Sequence, residues 1–310
     1  MINIGIAGTG FGLEHYNIIK QNNNVKVIGV FGRSDEKLNK IEDPNVIKSK
    51  KLGDFLIDKN TSFIDICLPT KLHTENVNIA LGNGKNVFCE TPLCENEEEL
   101  NSFSIGKGQR LYVSSFLKYF VEYEYLRNSI FDGKLGKLIN LRFTRFTPPI
   151  WGNLGLENIV LSLMIHEIDF ITWTFGVPAN INVANAFGKQ GKAFIQTLFE
   201  YRDFKADLAV SSYQPGGFIF QNGYEAMFER GFISFQCAFP KDKIEKKLTV
   251  YDMEREEVIE LPDLYPYKAM LDDVIECEME NKSCRLDFDY AKKALYAAFE
   301  INEQIKRISQ

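Results

Sequence analysis

The feature that most constrains the fold is a regular alternation of strand-like and helix-like segments along residues 1–118. The chain opens with a β-branched strand at Ile2–Ile6, passes through a glycine cluster and a helix, and reaches a second strand at Val25–Phe31. Further strands are predicted at Phe63–Leu68, Asn86–Cys89 and Leu111–Ser115, with helices near Lys51–Leu56, Leu72–Leu81 and Glu95–Phe103 between them. This repeat predicts an α/β fold with a doubly wound parallel sheet and helices on both faces.

From about Tyr119 onward the pattern changes to a mixture of helices and strands. Helices are predicted up to Phe131, at Asn158–Phe175 and in two C-terminal segments, and strands at Leu138–Thr147, Ala193–Tyr201, Lys205–Ser212, Phe232–Cys237 and Leu248–Tyr251. These segments indicate an α+β domain built on a mostly antiparallel sheet. The chain of 310 residues is therefore expected to form two domains, residues 1–118 and 119–310.

Composition excludes several classes of function. With 36 basic and 42 acidic residues the net charge is −6, which argues against a nucleic-acid surface. No apolar run approaches the roughly 18 residues of a membrane span, and the first residues lack the basic start of a signal peptide. The six cysteines form no CxxC pair and there are three histidines, so no metal site is expected. We expect a cytoplasmic protein with reduced thiols and with neither a nucleic-acid nor a membrane partner.

A glycine-rich turn lies directly between the first strand and the first helix. It consists of Gly8, Thr9, Gly10, Phe11 and Gly12. Glycines at this junction allow a tight turn and let a pyrophosphate approach the backbone N–H groups of the helix N-terminus. The third glycine comes one residue earlier than the G-x-G-x-x-G pattern requires. The turn predicts dinucleotide binding, and a tight turn without a ligand is the alternative.

The end of the second strand indicates which dinucleotide is preferred. An NAD site usually has an acid about 20 residues after the glycines, whereas this chain has Gly32, Arg33 and Ser34. An arginine and a hydroxyl suit a 2′-phosphate, which an acid would repel. We therefore predict NADP, with NAD possible; the alternative is that Arg33 is an ordinary solvated surface residue.

The ordered series of motifs resembles the Gfo/Idh/MocA oxidoreductase family over essentially the whole chain. Besides the glycine turn, the resemblance rests on His15, on the segments Pro69–His73 and Gly84–Leu93, and on His166-Glu167-Ile168-Asp169. The resemblance implies an N-terminal Rossmann domain, a C-terminal domain with an open sheet, and a nicotinamide bound between them. It also implies a homodimer or homotetramer assembled through that sheet.

The same resemblance assigns further residues to the cofactor and marks two departures. Cofactor-binding positions implied by it are Leu68, Pro69, Thr70, His73, Glu90 and Thr91, with a bond before Pro92 that is typically cis in the family. The family usually has a catalytic lysine where this chain has Thr91, and an aspartate where it has Ser162. Biliverdin reductases, which share the architecture, also lack this lysine and reduce a conjugated double bond.

Candidates for the chemistry lie mainly on the helix predicted at Asn158–Phe175. On a regular helix Ser162, His166 and Asp169 share one face, so Asp169 is expected to orient His166 and hold it protonated as the proton donor. The alternative for this polar face is a satisfied buried network. Lys118 or Lys71 is a candidate to replace the missing charge at Thr91, although surface lysines are the alternative; Trp151 lines the cleft or is a core aromatic.

The leading hypothesis is an NADP-preferring oxidoreductase acting on a small carbonyl, sugar-like or unsaturated substrate. Hydride transfer needs the cofactor, which the glycine turn predicts, and a proton donor, which His166 supplies. One alternative is a non-catalytic NADP-sensing regulatory protein of the same fold, because two usual acid–base positions are altered. Another is a nicotinamide-dependent enzyme with a non-redox reaction.

Overall fold

The computed structural model describes residues 1–240 and 244–308, with the side chains of residues 54 and 55 left out. Two compact units are present. The first comprises Met1–Phe116 together with Tyr265–Lys292, and the second comprises Leu117–Leu264 together with the C-terminal residues from Lys293 onward.

The first unit contains the parallel sheet predicted from the sequence. Its strands are β1 (Ile2–Ala7), β2 (Val25–Phe31), β3 (Ile47–Ser49), β4 (Phe63–Ile66), β5 (Asn86–Cys89) and β6 (Leu111–Val113). Its helices are α1 (Phe11–Ile19), α2 (Asp35–Leu38), α3 (Gly53–Leu56), α4 (His73–Gly82) and α5 (Glu97–Ser102). All strand pairs are parallel in the order β3-β2-β1-β4-β5-β6, the order of a Rossmann fold. The prediction of a doubly wound sheet is confirmed.

Burial of the central strands explains why they form. Every residue of β4 is buried, and Ile4 and Ile6 of β1 are at most 1% exposed. Strands covered on both faces by helices are expected to be continuously apolar rather than alternating. Asp65, in the middle of β4, is the exception and is 1% exposed.

The first unit contains more of the chain than the predicted first domain, which ends at residue 118, because it also includes residues 265–292. Helix α8 (Pro266–Glu280) packs against α1, and the N–H of Val113 donates to the carbonyl oxygen of Leu286 at 2.9 Å. Residues 265–292 thus belong to the Rossmann unit rather than to the second domain. A boundary drawn from the first change in pattern misses them, because the chain returns to the first unit after completing most of the second.

The second unit is built on an eight-stranded sheet. Its strands are β7 (Leu138–Phe146), β8 (Asn180–Lys189), β9 (Lys192–Glu200), β10 (Lys205–Ser211), β11 (Gln221–Phe228), β12 (Gly231–Ala238), β13 (Glu245–Tyr251) and β14 (Glu256–Val258). The order is β14-β13-β12-β11-β7-β10-β9-β8, and all neighbours are antiparallel except β7 and β10. The prediction of a mostly antiparallel sheet is confirmed.

The helix predicted at Asn158–Phe175 is not regular. A π-helical segment, Val160–Met164, precedes α7 (Ile165–Phe175). Ser162 lies inside this π-helical segment, whereas His166 and Asp169 lie in α7. Ser162 is exposed, whereas Asp169 is buried. Ser162 and Asp169 thus differ in exposure, and the shared face of Ser162, His166 and Asp169 stays a prediction.

The remaining helices are α6 (Val121–Asp132), in the second unit, and α9 (Phe288–Ile308), which begins in the first unit and ends in the second. Among the helices of the described residues, none is both long enough and apolar enough to cross a bilayer. All six cysteines are free and buried.

Candidate functional site

The glycine turn joins β1 to α1, and its three glycines serve different purposes. Gly8 has φ +124°, and a Cβ there would lie 2.3 Å from the carbonyl oxygen of Cys67. A Cβ on Gly12 would lie 3.1 Å from Ile6 Cγ2, so helix and strand pack closely there. By contrast, apart from Gly10 and its two chain neighbours, no atom of the described residues lies within 4 Å of a Cβ on Gly10. Internal packing therefore accounts for Gly8 and Gly12 but leaves Gly10 unexplained.

The predicted selectivity residues follow β2 beside the turn. A Cβ on Gly32 would lie 2.4 Å from Thr9 Cγ2, so Gly32 allows the two loops to touch. Arg33 is exposed. The hydroxyl oxygen of Ser34 accepts a hydrogen bond from the N–H of Lys37 at 3.3 Å and caps α2. Ser34 therefore has a structural task, whereas Arg33 is exposed.

Phe11, at the first position of α1, is 55% exposed and stacks on Tyr267 with ring centroids 6.1 Å apart. The N-cap of α1 is Gly10, which has no side chain, and no side chain in the described part of the chain caps this end of the helix. The first N–H groups of α1 are thus placed where an anionic group is stabilised.

His73 joins the loops that follow β4 and β5. Its Nε2 lies 2.7 Å from the carbonyl oxygen of Leu68, and its Nδ1 lies 2.8 Å from that of Pro92. Pro69 and Thr70, between Leu68 and His73, begin a short 3-10 turn that continues to Leu72. The peptide bond from Thr91 to Pro92 is cis, as the resemblance implied. His73 thereby holds together the segments expected to touch the cofactor.

A buried charged cluster lies beneath the glycine turn. His15 Nδ1 is 2.9 Å from Asp65 Oδ2 and 3.2 Å from Cys67 Sγ, and His15 Nε2 is 3.2 Å from Glu90 Oε1. The other carboxylate oxygen of Glu90 accepts a hydrogen bond from the N–H of Thr91 at 3.3 Å. Burial alone would lower the pKa of His15, but Cys67 and Asp65 raise it well above its ordinary value. A charged His15 therefore bridges Asp65 to the segment that carries Thr91.

Sequence reasoning noted His15 but missed this cluster. The available signal is an acid, Asp65, inside the otherwise apolar strand Phe63-Ile64-Asp65-Ile66. A buried carboxylate requires a partner, so its presence in a central strand predicts a buried cation or donor nearby.

In the second unit, Lys118 is paired with Asp169. Lys118 is 1% exposed, and its Nζ lies 2.9 Å and 3.2 Å from the two carboxylate oxygens of Asp169. The same Nζ lies 5.5 Å from the centre of the Trp173 ring. The alternative of a surface lysine is wrong for Lys118, because the side chain is buried as an ion pair with an aromatic contact.

A second buried ion pair, between Arg145 and Glu167, contributes to the pKa of His166. Arg145 Nε lies 2.9 Å from both carboxylate oxygens of Glu167, and both side chains are at most 4% exposed. Burial and the positive charge of Arg145 lower the pKa of His166 well below its ordinary value. The expectation that Asp169 keeps His166 protonated is therefore wrong: the imidazole is neutral at neutral pH, and Asp169 holds Lys118.

The three predicted substrate residues, Ser162, Lys71 and Trp151, are all exposed. Lys71 lies in the 3-10 turn of the first unit, and Ser162 lies in the π-helical segment of the second. Trp151 is 51% exposed and contacts Phe220 edge to face, with ring centroids 4.9 Å apart. The core-aromatic alternative for Trp151 is wrong.

Comparison with known proteins shows which oxidoreductases this chain is similar to. Residues 2–104 match the model of an oxidoreductase family with an NAD-binding Rossmann fold, the Gfo/Idh/MocA family. An inositol 2-dehydrogenase from Pseudomonas fluorescens is 26% identical over 181 residues, and a glucose-6-phosphate 3-dehydrogenase from Bacillus subtilis is 27% identical over 218 residues. These alignments cover 56% and 61% of this chain and 54% and 61% of the two relatives. The chain thus spans little more than half the length of the curated relatives it matches.

Solved structures reproduce the fold over nearly the whole chain. Biliverdin reductase from Synechocystis, determined with biliverdin and NADP⁺, superposes with a TM-score of 0.81 at 16% identity, covering 98% of this chain and 99% of that chain. Identity at this level concerns the fold alone. Residues 2–104 are thus similar to the NAD-binding Rossmann domain of that oxidoreductase family, and the strand order of the first sheet agrees with this similarity.

Proposed function

We propose that this protein is an oxidoreductase that binds NADP in preference to NAD and acts on a small carbonyl, sugar-like or unsaturated substrate. The observation that carries the proposal is the glycine turn, where Gly10 leaves open space at the N-terminus of α1. A diphosphate fits such a place, because backbone N–H groups and the helix dipole both favour an anion. When bound, the nicotinamide would supply or accept the hydride.

The preference for NADP rests on Arg33. Arg33 is exposed and lies two residues after the end of β2, and its guanidinium would donate charge-assisted hydrogen bonds to a 2′-phosphate at the end of this strand. The nearest acid in sequence, Asp35, is already paired with Lys50 at 2.6 Å, which reduces its repulsion of a phosphate.

The second unit supplies groups suited to proton transfer. Neutral His166 is able to accept the proton of a hydroxyl as the alcohol is oxidised, and in the reverse direction the same group returns it. The Lys118 ammonium, held by Asp169, stabilises negative charge developing on the substrate oxygen. Thr91 donates or accepts a hydrogen bond in place of the family's lysine.

Titration with NADPH and NADH tests the cofactor assignment. Gly10→Ala adds a methyl group where, apart from Gly10 and its two chain neighbours, the described protein has no atom within 4 Å, so we expect at least about tenfold weaker binding, about 1.4 kcal/mol, without loss of thermal stability. Gly82→Ala, at an equally open position in α4, is the matched control. No measurable affinity of the wild type for either coenzyme would contradict the proposal.

Selectivity is tested separately with Arg33→Ala. We expect about tenfold weaker NADPH binding and unchanged NADH binding, since only NADPH carries the 2′-phosphate. Lys40→Ala, an exposed cation beyond α2, should change neither value. Equal loss for both coenzymes would assign Arg33 a role in stability instead.

Turnover distinguishes the enzyme from a sensor of NADP. We expect oxidation of at least one member of a panel of polyols and sugars, with kcat reduced about 100-fold or more by His166→Gln. Because the pKa of His166 is lowered, the oxidation rate should show no inflection near pH 6.5. Tight NADPH binding with no turnover on sugars, ketones and enones would instead favour the sensor, as the replacement of lysine by Thr91 also does.

We further propose that the protein self-associates as a homodimer or homotetramer through its eight-stranded sheet, with a small molecule as its other partner. Along β9 fully buried side chains alternate with half-buried ones, and Phe194 and Leu198 belong to the half-buried set. Leu198→Lys is expected to produce a monomer, measured by light scattering. A monomeric wild type at micromolar concentration would contradict this assignment.

A further inference from the structure

A second cluster of soft and acidic ligands lies in the first unit, in the segment that returns from the second. Asp273 and Cys277 are one turn apart on α8, and Cys284 lies in the turn between α8 and α9. Cys277 Sγ lies 3.6 Å from Asp273 Oδ1, and Cys284 Sγ lies 3.7 Å from Asp273 Oδ2. One ligand atom from each of the three residues lies within 4.8 Å of the others.

The two S···O separations, each to a different oxygen of Asp273, are close to the S···O separation around a tetrahedral zinc ion. With Zn–S near 2.3 Å and Zn–O near 2.0 Å, the S···O edge of a tetrahedron is about 3.5 Å. The thiols are buried, at 1% and 3% exposure, while Asp273 is only half-buried and leaves a route to solvent. Two thiolates and one carboxylate form a donor set that zinc accepts, with water as a fourth ligand.

We propose that Asp273, Cys277 and Cys284 form a binding site for a thiophilic divalent cation of the zinc class. Binding replaces the proton on each thiol, so two protons leave for each ion and no oxidant is needed. Burial raises the pKa of both thiols, so these protons are present before the metal arrives.

The position of the site indicates what the ion does. The same segment is fastened to the edge of the parallel sheet, since the hydroxyl of Tyr112 donates to Glu278 at 3.1 Å and Arg110 donates to Asn281 Oδ1 at 2.8 Å. A cation joining α8 to the turn after it therefore stabilises the attachment of residues 265–292 to the Rossmann sheet. The role is structural and independent of the proposed reaction.

Among the described residues, a further cluster with metal-ligating side chains, His15, Asp65 and Cys67, is a weaker candidate. Its imidazole is already engaged by Asp65 at one nitrogen and by Glu90 at the other. All three residues are buried, at 0%, 1% and 8% exposure, so the cluster has no half-exposed ligand like Asp273. It serves as a closed charge network rather than as an ion site.

The experiment uses the full chain, stripped with a chelator and kept reduced with a phosphine. Co²⁺ is added as a spectroscopic probe and is then displaced by Zn²⁺. We expect one Co²⁺ per chain, a thiolate-to-cobalt absorption band with the intensity of two sulfur ligands, and a rise in Tm with Zn²⁺. Cys284→Ser and Asp273→Asn should weaken binding and remove the rise in Tm, whereas Cys94→Ser, a buried thiol of the same unit, should change nothing.

The cobalt absorption band of the wild-type protein tests the proposal even when a variant does not fold. Absence of a thiolate–cobalt band in the wild type overturns the proposal. A band with the intensity of one sulfur, lost in Cys67→Ser and retained in Cys284→Ser, also overturns it, because the ion then lies in the other cluster. A two-sulfur band with one ion per chain supports it.

Discussion

Each of the two units holds a histidine near ionised groups, and the pKa values of the two histidines are shifted in opposite directions. In the first unit His15 lies against Cys67 and Asp65, which raise its pKa, and its Nε2 lies 3.2 Å from Glu90. In the second unit His166 lies near the guanidinium of Arg145, and its pKa is lowered. Burial opposes the charged form of both rings, so the difference arises from the sign of the neighbouring charge.

This comparison separates two uses of the same side chain. A charged His15 serves as a fixed bridge between strand β4 and the segment carrying Thr91. A neutral His166 retains a basic nitrogen, which a general base requires. Residue type alone does not distinguish the bridge from the base.

The largest expected effect comes from removing the carboxylate that balances Arg145. Glu167→Gln leaves a buried guanidinium without its counter-ion, so we expect a loss of about 3–5 kcal/mol in the free energy of unfolding. Urea denaturation measures it. Glu225→Gln, in an exposed pair with Arg142 on the same sheet, is the control and should leave stability within experimental error. If Glu167→Gln and Glu225→Gln lowered the free energy of unfolding by the same small amount, the buried pair of Arg145 and Glu167 would contribute little to stability.

A smaller effect is expected in the first unit from Asp65→Asn. Loss of the carboxylate removes one of the groups that raise the pKa of His15, so we expect this pKa to fall and the free energy of unfolding to drop by about 1–3 kcal/mol. The same unfolding measurement applies, with the exposed Asp35→Asn as the matched control. An unchanged pKa of His15 in Asp65→Asn, followed by NMR, would contradict the cause given for the shift.

The charge of His15 also predicts how stability depends on pH. Its folded pKa lies above the unfolded value near 6.5, so the stabilisation is complete below pH 6.5 and is lost as pH rises toward the folded pKa. His15 changes the free energy of unfolding by at most about 1.4 kcal/mol per pH unit in this range. His15→Gln should remove it. A wild type and a variant with parallel stability curves above pH 6.5 would rule the effect out.

For His166 we expect the opposite dependence of stability on pH. At neutral pH its effect on stability should be the smallest of those described. Its folded pKa lies below the unfolded value, so its contribution is complete above about pH 6.5 and is lost as pH falls toward the folded pKa. His166→Gln should therefore match the wild-type pH profile at pH 7.5 and depart from it only in acid. Titration of the His166 ring near pH 6.5, observed by NMR, would refute this prediction.

Agreement between sequence and structure depends on the range of the interactions involved. Local pattern predicts the parallel sheet and the glycines at the junction of β1 and α1. The family resemblance implies the cis bond before Pro92. The return of residues 265–292 to the first unit does not, because a helix carries no signal for which sheet it will cover. The π-helical turn before His166 was also missed, since its residues are as compatible with a regular helix.

The sequence by itself determined the class of fold, the position of the glycine turn and the residues available for chemistry, because apolar periodicity and glycine spacing act over a few residues. The tertiary structure decided which of those residues are charged and with which residues they form ion pairs. It paired Lys118 with Asp169, Arg145 with Glu167 and His15 with two carboxylates. Protonation depends on burial and on charges brought together from distant segments, and these arise only when the chain is folded.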